Sequence, residues 1–244
     1  MSSSEKVKAV PPAAGPGANA PAGAAPACPA PAPREVSHQV TETISNASAG
    51  NEHWNGTYQW DSKFTLAVDP ANCTVTATVK VKVNGTATDA QKQAWKNAIE
   101  TKWNNKVKLD CPGRACKAAC PNGFAVKVEL KYVDSGEHYP IDAQDPGAGG
   151  GGVEGLGGTT SMQGWGKNDT VDITHEFGHM LGNPEEYFTT DGHDYTDGGT
   201  VDGFRDPHGG IMNNPDNDPL PRNYESIRKE ASSMLGDNCT TQPR

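Results

Sequence analysis

The chain has 244 residues, a formal net charge of −9 and 34% hydrophobic residues, enough for one or two domains diluted by polar and small-residue segments. An acidic balance argues against nucleic acid as a partner, because phosphate-backbone affinity comes from Lys and Arg neutralising phosphates. No apolar run approaches the roughly 20 residues a bilayer demands, so no membrane-spanning helix is expected.

Residues 1–34 are built largely from Pro, Ala and Gly. They lack the large apolar groups that offset the entropy of ordering, and their prolines favour extended conformations. The opening Met-Ser-Ser-Ser-Glu-Lys has no apolar core of a secretory signal. Such a tail serves as a plain linker, a tether, or a segment read by a secretion or injection machine. Residues 35–56 read as a transition into the fold.

The first strand expected is Thr57–Val68. The clearest is Cys73–Asn84, where Val75, Ala77, Val79, Val81 and Val83 alternate with Thr and Lys, the period of a half-buried sheet. Thr88-Asp-Ala-Gln91 is a capping box, and the helix it opens puts Trp95, Ile99 and Trp103 on one core-facing stripe. Phe124–Val133 is another alternating strand, giving a strand–helix–strand unit. Six cysteines (Cys28, Cys73, Cys111, Cys116, Cys120 and Cys239) lack the Cys-x-x-Cys pair of a zinc knuckle and read as disulfides of an oxidising compartment. Cys28, in the tail, is expected to be the odd one out or to pair late. The Gly-rich stretch in 145–158 lacks the Lys-Ser/Thr ending of a phosphate loop and reads as a connector or lid. Residues 159–165 are expected to form a short edge strand beside the cleft, to which a peptide could add.

The chemistry is concentrated in His175-Glu176-Phe-Gly-His179, followed by Gly182 and Glu185. Positions four apart share a helix face, so His175 and His179 can address one ion. Two neutral imidazoles suit Zn²⁺, and Glu176 is placed to take a proton from a water activated there. Asn168, Asp169 and Thr170 are suitable helix caps, and Gly182 is a suitable stop. The third ligand is Glu185, its neighbour Glu186, or the distant Glu225, with His193, His208 or an Asp as remaining options. Downstream, Ile211-Met212-Asn-Asn-Pro forms a turn signature.

His-Glu-x-x-His-x-x-Gly-x-x-Glu followed by a methionine turn resembles the metzincin-type zinc metallopeptidases, closest in pattern to the small bacterial snapalysin-like members, which carry an acidic third ligand. The resemblance is sharp over 170–187 and looser over 205–215. It departs from the family in having Glu rather than His or Asp at the third position. It departs again at Asn214, where several metzincins have a Tyr; Tyr187, Tyr195, Tyr224, His193 and His208 are the candidates for that electrophilic role. The resemblance implies Met212 as the floor beneath the metal. It implies an α+β fold: a small twisted mixed sheet, two long helices above the cleft, and a loop-rich lower half closed by a C-terminal helix over Asn223–Leu235.

The expected organisation is therefore a disordered tail over 1–50 and a zinc metallopeptidase domain over 51–244. Within it, Glu176 is catalytic and His175, His179 and Glu185 are the metal ligands. The expected activity is endopeptidase action on protein or peptide substrates by a chain that is secreted or delivered into a target cell or periplasm. The alternative is a non-catalytic delivery or interaction protein with a structural or degenerate zinc site.

Overall fold

The computed structural model describes residues 27–49, 52–145, 161–186, 195–196, 200–201 and 209–244. Tyr187, His193, His208, most of the Gly-rich stretch, and Asp191, Asp194, Asp197, Asp202 and Asp206 lie outside the described residues. The architecture is α+β. Strands β1 (Arg34–Ala49), β2 (Glu52–Asp69), β3 (Thr74–Asn84), β4 (Val107–Asp110), β5 (Phe124–Tyr132), β6 (Tyr139–Gln144), β7 (Gly164–Gly166) and β10 (Thr240–Pro243) form one mixed sheet. Its main path runs β1-β2-β3-β5-β4-β10, and a short hairpin pairs β8 (Tyr195–Thr196) with β9 (Thr200–Val201).

The alternating stretches become the sheet centre. Val75, Ala77, Val79 and Val81 of β3 and Phe124, Val126, Val128 and Leu130 of β5 are buried, and the two strands pair in parallel. A parallel pair needs a crossover, and helix α1 (Asp89–Trp103) supplies it. Thr88 caps α1 through the capping box with Gln91. The edge of β3 is shared by two strands in succession. β2 pairs antiparallel with Thr74–Thr78, and β6 pairs in parallel with Val81–Asn84.

Trp95, Ile99 and Trp103 of α1 are fully buried. Trp103 joins α1 to two further helices, α3 (Asp172–Met180) and α4 (Glu225–Leu235). It packs at 6.1 Å from Phe177 and 5.4 Å from Tyr224, and its Nε1 donates to Thr174 O at 2.8 Å. α4 follows a 3-10 turn at Pro221–Tyr224 and ends at Gly236, with φ +63°. Of the two long helices expected, only α1 is long, at 15 residues; α3 has 9 because Gly182 stops it early.

Two expectations about the N-terminus change. Strand β1 occupies Arg34–Ala49, within the stretch assigned from composition to a tail through residue 50. Only Val36 and Val40 supply its buried apolar face, too sparse an alternation to stand out beside the Pro/Ala run. Cys28 is not the odd cysteine: it bridges Cys116, while Cys73 bridges Cys120 and Cys111 bridges Cys239. Helix α2 (Arg114–Ala119) and its flanks thus carry one partner of every bridge. All six cysteines are paired, which fits an oxidising or extracellular environment. No helix among the described residues is long and apolar enough to cross a membrane.

Trp103→Ala removes a fully buried indole and the hydrogen bond to α3, and it is expected to lower the unfolding free energy by about 3–5 kcal/mol. A urea titration followed by far-UV circular dichroism would show this as a lower midpoint at an unchanged slope.

Candidate metal centre

Helix α3 has buried apolar side chains at Ile173, Phe177 and Met180, which seat it against α1 and the sheet. Its start is held by Asp169, whose Oδ1 accepts the N–H groups of Val171 and Asp172 at 2.8 and 3.0 Å. That is one of the caps expected from sequence. Gly178 lets the helix approach the turn at Gly209–Asn214, since a Cβ there would overlap the Met212 Sδ. Gly182 has φ +94°, the left-handed conformation that ends the helix and turns the chain back. Asn183 fixes the return, its Nδ2 donating to Gly178 O and Asn223 O at 3.0 Å each.

The turn-back brings Glu185 against the two histidines. Glu185 Oε1 lies 3.0 Å from His179 Nε2, and Oε2 lies 3.1 Å from His175 Nε2. All three side chains are buried. The imidazoles are nearly perpendicular, with centroids 4.9 Å apart. His175 Nδ1 meets Ile211 O at 2.9 Å, and His179 Nδ1 meets Asn183 O at 2.7 Å. A carbonyl only accepts, so each Nδ1 must carry the proton and donate it. In the neutral rings each Nε2 then presents a lone pair to the carboxylate. With both rings neutral, three acceptors converge in one buried spot, and positive charge, from protons on the imidazoles or from a metal ion, satisfies them.

The electrostatics express the same demand. Burial opposes charge on His179, but the Glu185 carboxylate outweighs it and pushes the pKa up to about 10. His175 is raised likewise against its burial. Burial would raise Glu185, yet the two histidines hold it well below the usual carboxylate range. Glu185 Oε2 accepts no hydrogen bond of acceptable geometry, a rare state for a buried carboxylate oxygen. Two imidazole nitrogens and one carboxylate, oriented by outer carbonyls, are a donor set that fits a divalent metal ion.

His179 and Glu185 line a cleft of about 590 Å³ that Glu176 also lines. Burial pushes the Glu176 carboxyl up to about 7. Glu176 stands beside the group, where the charges of His179 and His175 act against that rise. The cleft's far wall comes from β1 and β2. Trp60 Nε1 donates to His179 O at 3.0 Å and Ser62 Oγ to Met180 O at 2.9 Å, satisfying carbonyls at the end of α3. The Tyr139 hydroxyl lies 3.1 Å from Met180 O as well. Glu42 of β1 is buried, its carboxyl accepts the Glu185 backbone N–H, and burial first, then the Glu185 charge, raises its pKa to about 8.

The remaining sequence candidates fall elsewhere. Glu186 is bound by Arg222 at 2.8 and 2.9 Å and by Asn223 at 3.2 Å. Glu225 pairs with Arg228 on the outside of α4. Tyr224 donates to Trp103 O at 2.5 Å, away from the cleft. Asn214 accepts from Asp216 N within its own turn. Glu42, Trp60, Ser62 and Tyr139 were not singled out from sequence, because nothing local marks a strand residue whose partner lies far along the chain: 119 positions for Trp60, 118 for Ser62 and 41 for Tyr139. In comparison with known proteins, no family model matches the chain, and no curated protein sequence or solved structure matches it significantly.

The geometry separates the three acidic candidates. Glu185→Ala is expected to lose bound metal in elemental analysis, whereas Glu186→Ala and Glu225→Ala retain it. Glu186→Ala instead leaves the Arg222 charge without its buried partner, at a cost of roughly 3 kcal/mol in urea unfolding.

Proposed function

We propose that this chain is a zinc-dependent endopeptidase of metzincin type. The observation that carries the proposal is the position of Glu176: a carboxylate beside, and not part of, a buried His175–His179–Glu185 group at the base of an open cleft. A purely structural metal site has no use for such a neighbour, and it is normally closed by four protein ligands. Here three converge among the described residues.

A zinc ion held by His175 Nε2, His179 Nε2 and Glu185 would supply Lewis acidity, polarising a scissile carbonyl and easing deprotonation of a water. The chain's own groups do the rest. The Glu176 carboxylate takes the proton from the attacking water as the carbon–oxygen bond forms. It returns that proton to the amine as the carbon–nitrogen bond breaks. The carbonyls of Ile211 and Asn183 hold both imidazoles in the Nδ1–H tautomer, so their Nε2 lone pairs stay directed at the ion. Trp60, against the edge of His179 at a centroid distance of 5.7 Å, shields that ligand from solvent. The three disulfides support a place of action outside the reducing cytosol, as a secreted or delivered enzyme.

Glu176→Gln keeps the shape of the side chain and removes its basicity. It is expected to bind zinc as the wild type does and to lower the hydrolysis rate of an unfolded protein such as casein about 10²–10⁴-fold. Wild-type turnover in this variant would refute the peptidase assignment. Because the ligands must be deprotonated to bind and Glu185 raises both histidines, His179 to about 10, protons compete with zinc from that pH downward; zinc content measured after dialysis is expected to fall progressively as the pH is lowered from about 10, and chelation is expected to abolish turnover.

A further inference from the structure

The sheet contains a split, and the cleft lies in it. β2 and β6 leave the same edge of β3 one after the other, and β7 pairs on the opposite edge of β6. Among the described residues no strand lies between β7 and the part of β2 beyond Thr65. The cleft is lined on one side by Gln59, Trp60, Asp61 and Lys63 of β2, and on the other by Ser161, Met162 and Gln163 ahead of β7. Glu176, His179 and Glu185 lie at its base.

The main chain of the two walls differs. Along 161–164 it is turned on itself: Ser161 N donates to Gly164 O at 2.6 Å, Gly164 N to Ser161 O at 3.1 Å, and Gln163 O accepts from Asp142 N at 2.7 Å. Of the edge strand expected over 159–165, residues 159–160 lie outside the described residues, and the described part is strand only over Gly164–Gly166, with little edge to offer. On β2, the register with β1 is continuous from Arg34↔Leu66 to Ile44↔Gly56, so alternate residues turn their N–H and C=O groups away from β1. Tyr139 shows which ones. Its hydroxyl accepts from Lys63 N at 2.6 Å and lies 3.0 Å from Asp61 O. Residues 61 and 63 therefore face the cleft side, and by the same alternation so does Gln59, which is exposed. The phenol occupies the edge the way a paired strand would, and the next outward position is Gln59.

We propose that β2 at Gln59 is the docking edge for an extended peptide substrate, which adds as a strand in the split between β2 and β7 with its backbone passing over Glu176. The proposal rests on the peptidase reading and names the substrate class: unfolded polypeptide held by its main chain. β-Strand addition uses backbone hydrogen bonds for affinity and leaves side chains for selection. The Trp60, Tyr139, Pro140 and Met162 side chains around the split offer apolar contact to the added strand.

Gln59→Pro tests this directly. It deletes an N–H that points away from β1, so the β1–β2 ladder keeps its hydrogen bonds. Gln59→Ala keeps the N–H and removes only the exposed side-chain bond to Thr41. With zinc-loaded full-length protein and casein as substrate, Gln59→Pro is expected to raise KM roughly 5–10-fold, the loss of one main-chain hydrogen bond, with kcat within about twofold. Gln59→Ala, which keeps the main-chain donor, is expected to raise KM clearly less than Gln59→Pro does. In parallel, hydrogen exchange of the Gln59 amide in the Glu176→Gln variant is expected to slow when a tryptic digest of casein is added. An unchanged KM in a folded Gln59→Pro, or an unprotected Gln59 amide, overturns the docking edge and leaves the peptidase standing. Protection at Gln59 without cleavage of casein by the wild type would sink the peptidase reading while the peptide-binding edge survives. If Gln59→Pro does not fold, the exchange measurement alone decides.

Discussion

Three hydrogen-bond acceptors pressed together away from water set the terms for this structure. His175 Nε2, His179 Nε2 and the Glu185 carboxylate would each rather face a donor, and the two Nδ1–H groups are already committed to main-chain carbonyls. Burying a carboxylate without compensation is costly, and burying it against lone pairs is worse. The arrangement is stable only with positive charge in the middle, from protons or from a metal. Burial opposes charge on the imidazoles, but the Glu185 carboxylate outweighs it, so without a metal protons are drawn onto the rings. A divalent ion meets the same need while leaving both rings neutral.

A cluster of that kind must be held from outside. The end of α3 carries the second histidine, and its last carbonyls have no helical partner. Trp60 and Ser62, from a strand far earlier in the chain, supply the donors. Asn183 ties the turn after the helix to Gly178 and to Asn223 before α4. Glu42 reaches the backbone of Glu185 from β1. Glu186, next in sequence, is drawn the opposite way by Arg222, which keeps it from competing for the same place. The β1–β2 hairpin is consequently part of the site's frame as well as of the sheet.

How much of this was legible follows from the range of each interaction. His175, Glu176 and His179 stand within one helix turn, so their shared surface is a property of the local period. The cap at Asp169 and the stop at Gly182 are equally local. The strand–helix–strand unit of β3, α1 and β5 was readable because its alternation and its tryptophan stripe are dense. Glu185 was the expected third group from its place three residues after Gly182, but what draws Glu186 away from the histidines was not readable, because it depends on Arg222 and Asn223 far along the chain. β1 was missed for a different reason. Its inward face is Val36, Val40 and the carboxyl of Glu42, and no periodicity argument places a buried Glu on a strand. The pairing of Cys28 was hidden along with it.

The disulfides and the site divide the sheet between them. Cys73 immediately precedes β3 and is bridged to Cys120, just ahead of β5, so the entry to both parallel strands is clamped. Cys111 follows β4 and is bridged to Cys239, just ahead of β10. The cleft belongs to the other end of β3, where β6 replaces β2 as its neighbour. Covalent closure of long loops at one end removes denatured-state freedom without constraining the split at the other. That separation matters for a chain with so few hydrophobic residues. Its sheet can remain open where a ligand enters, because the strands are already fixed where they begin.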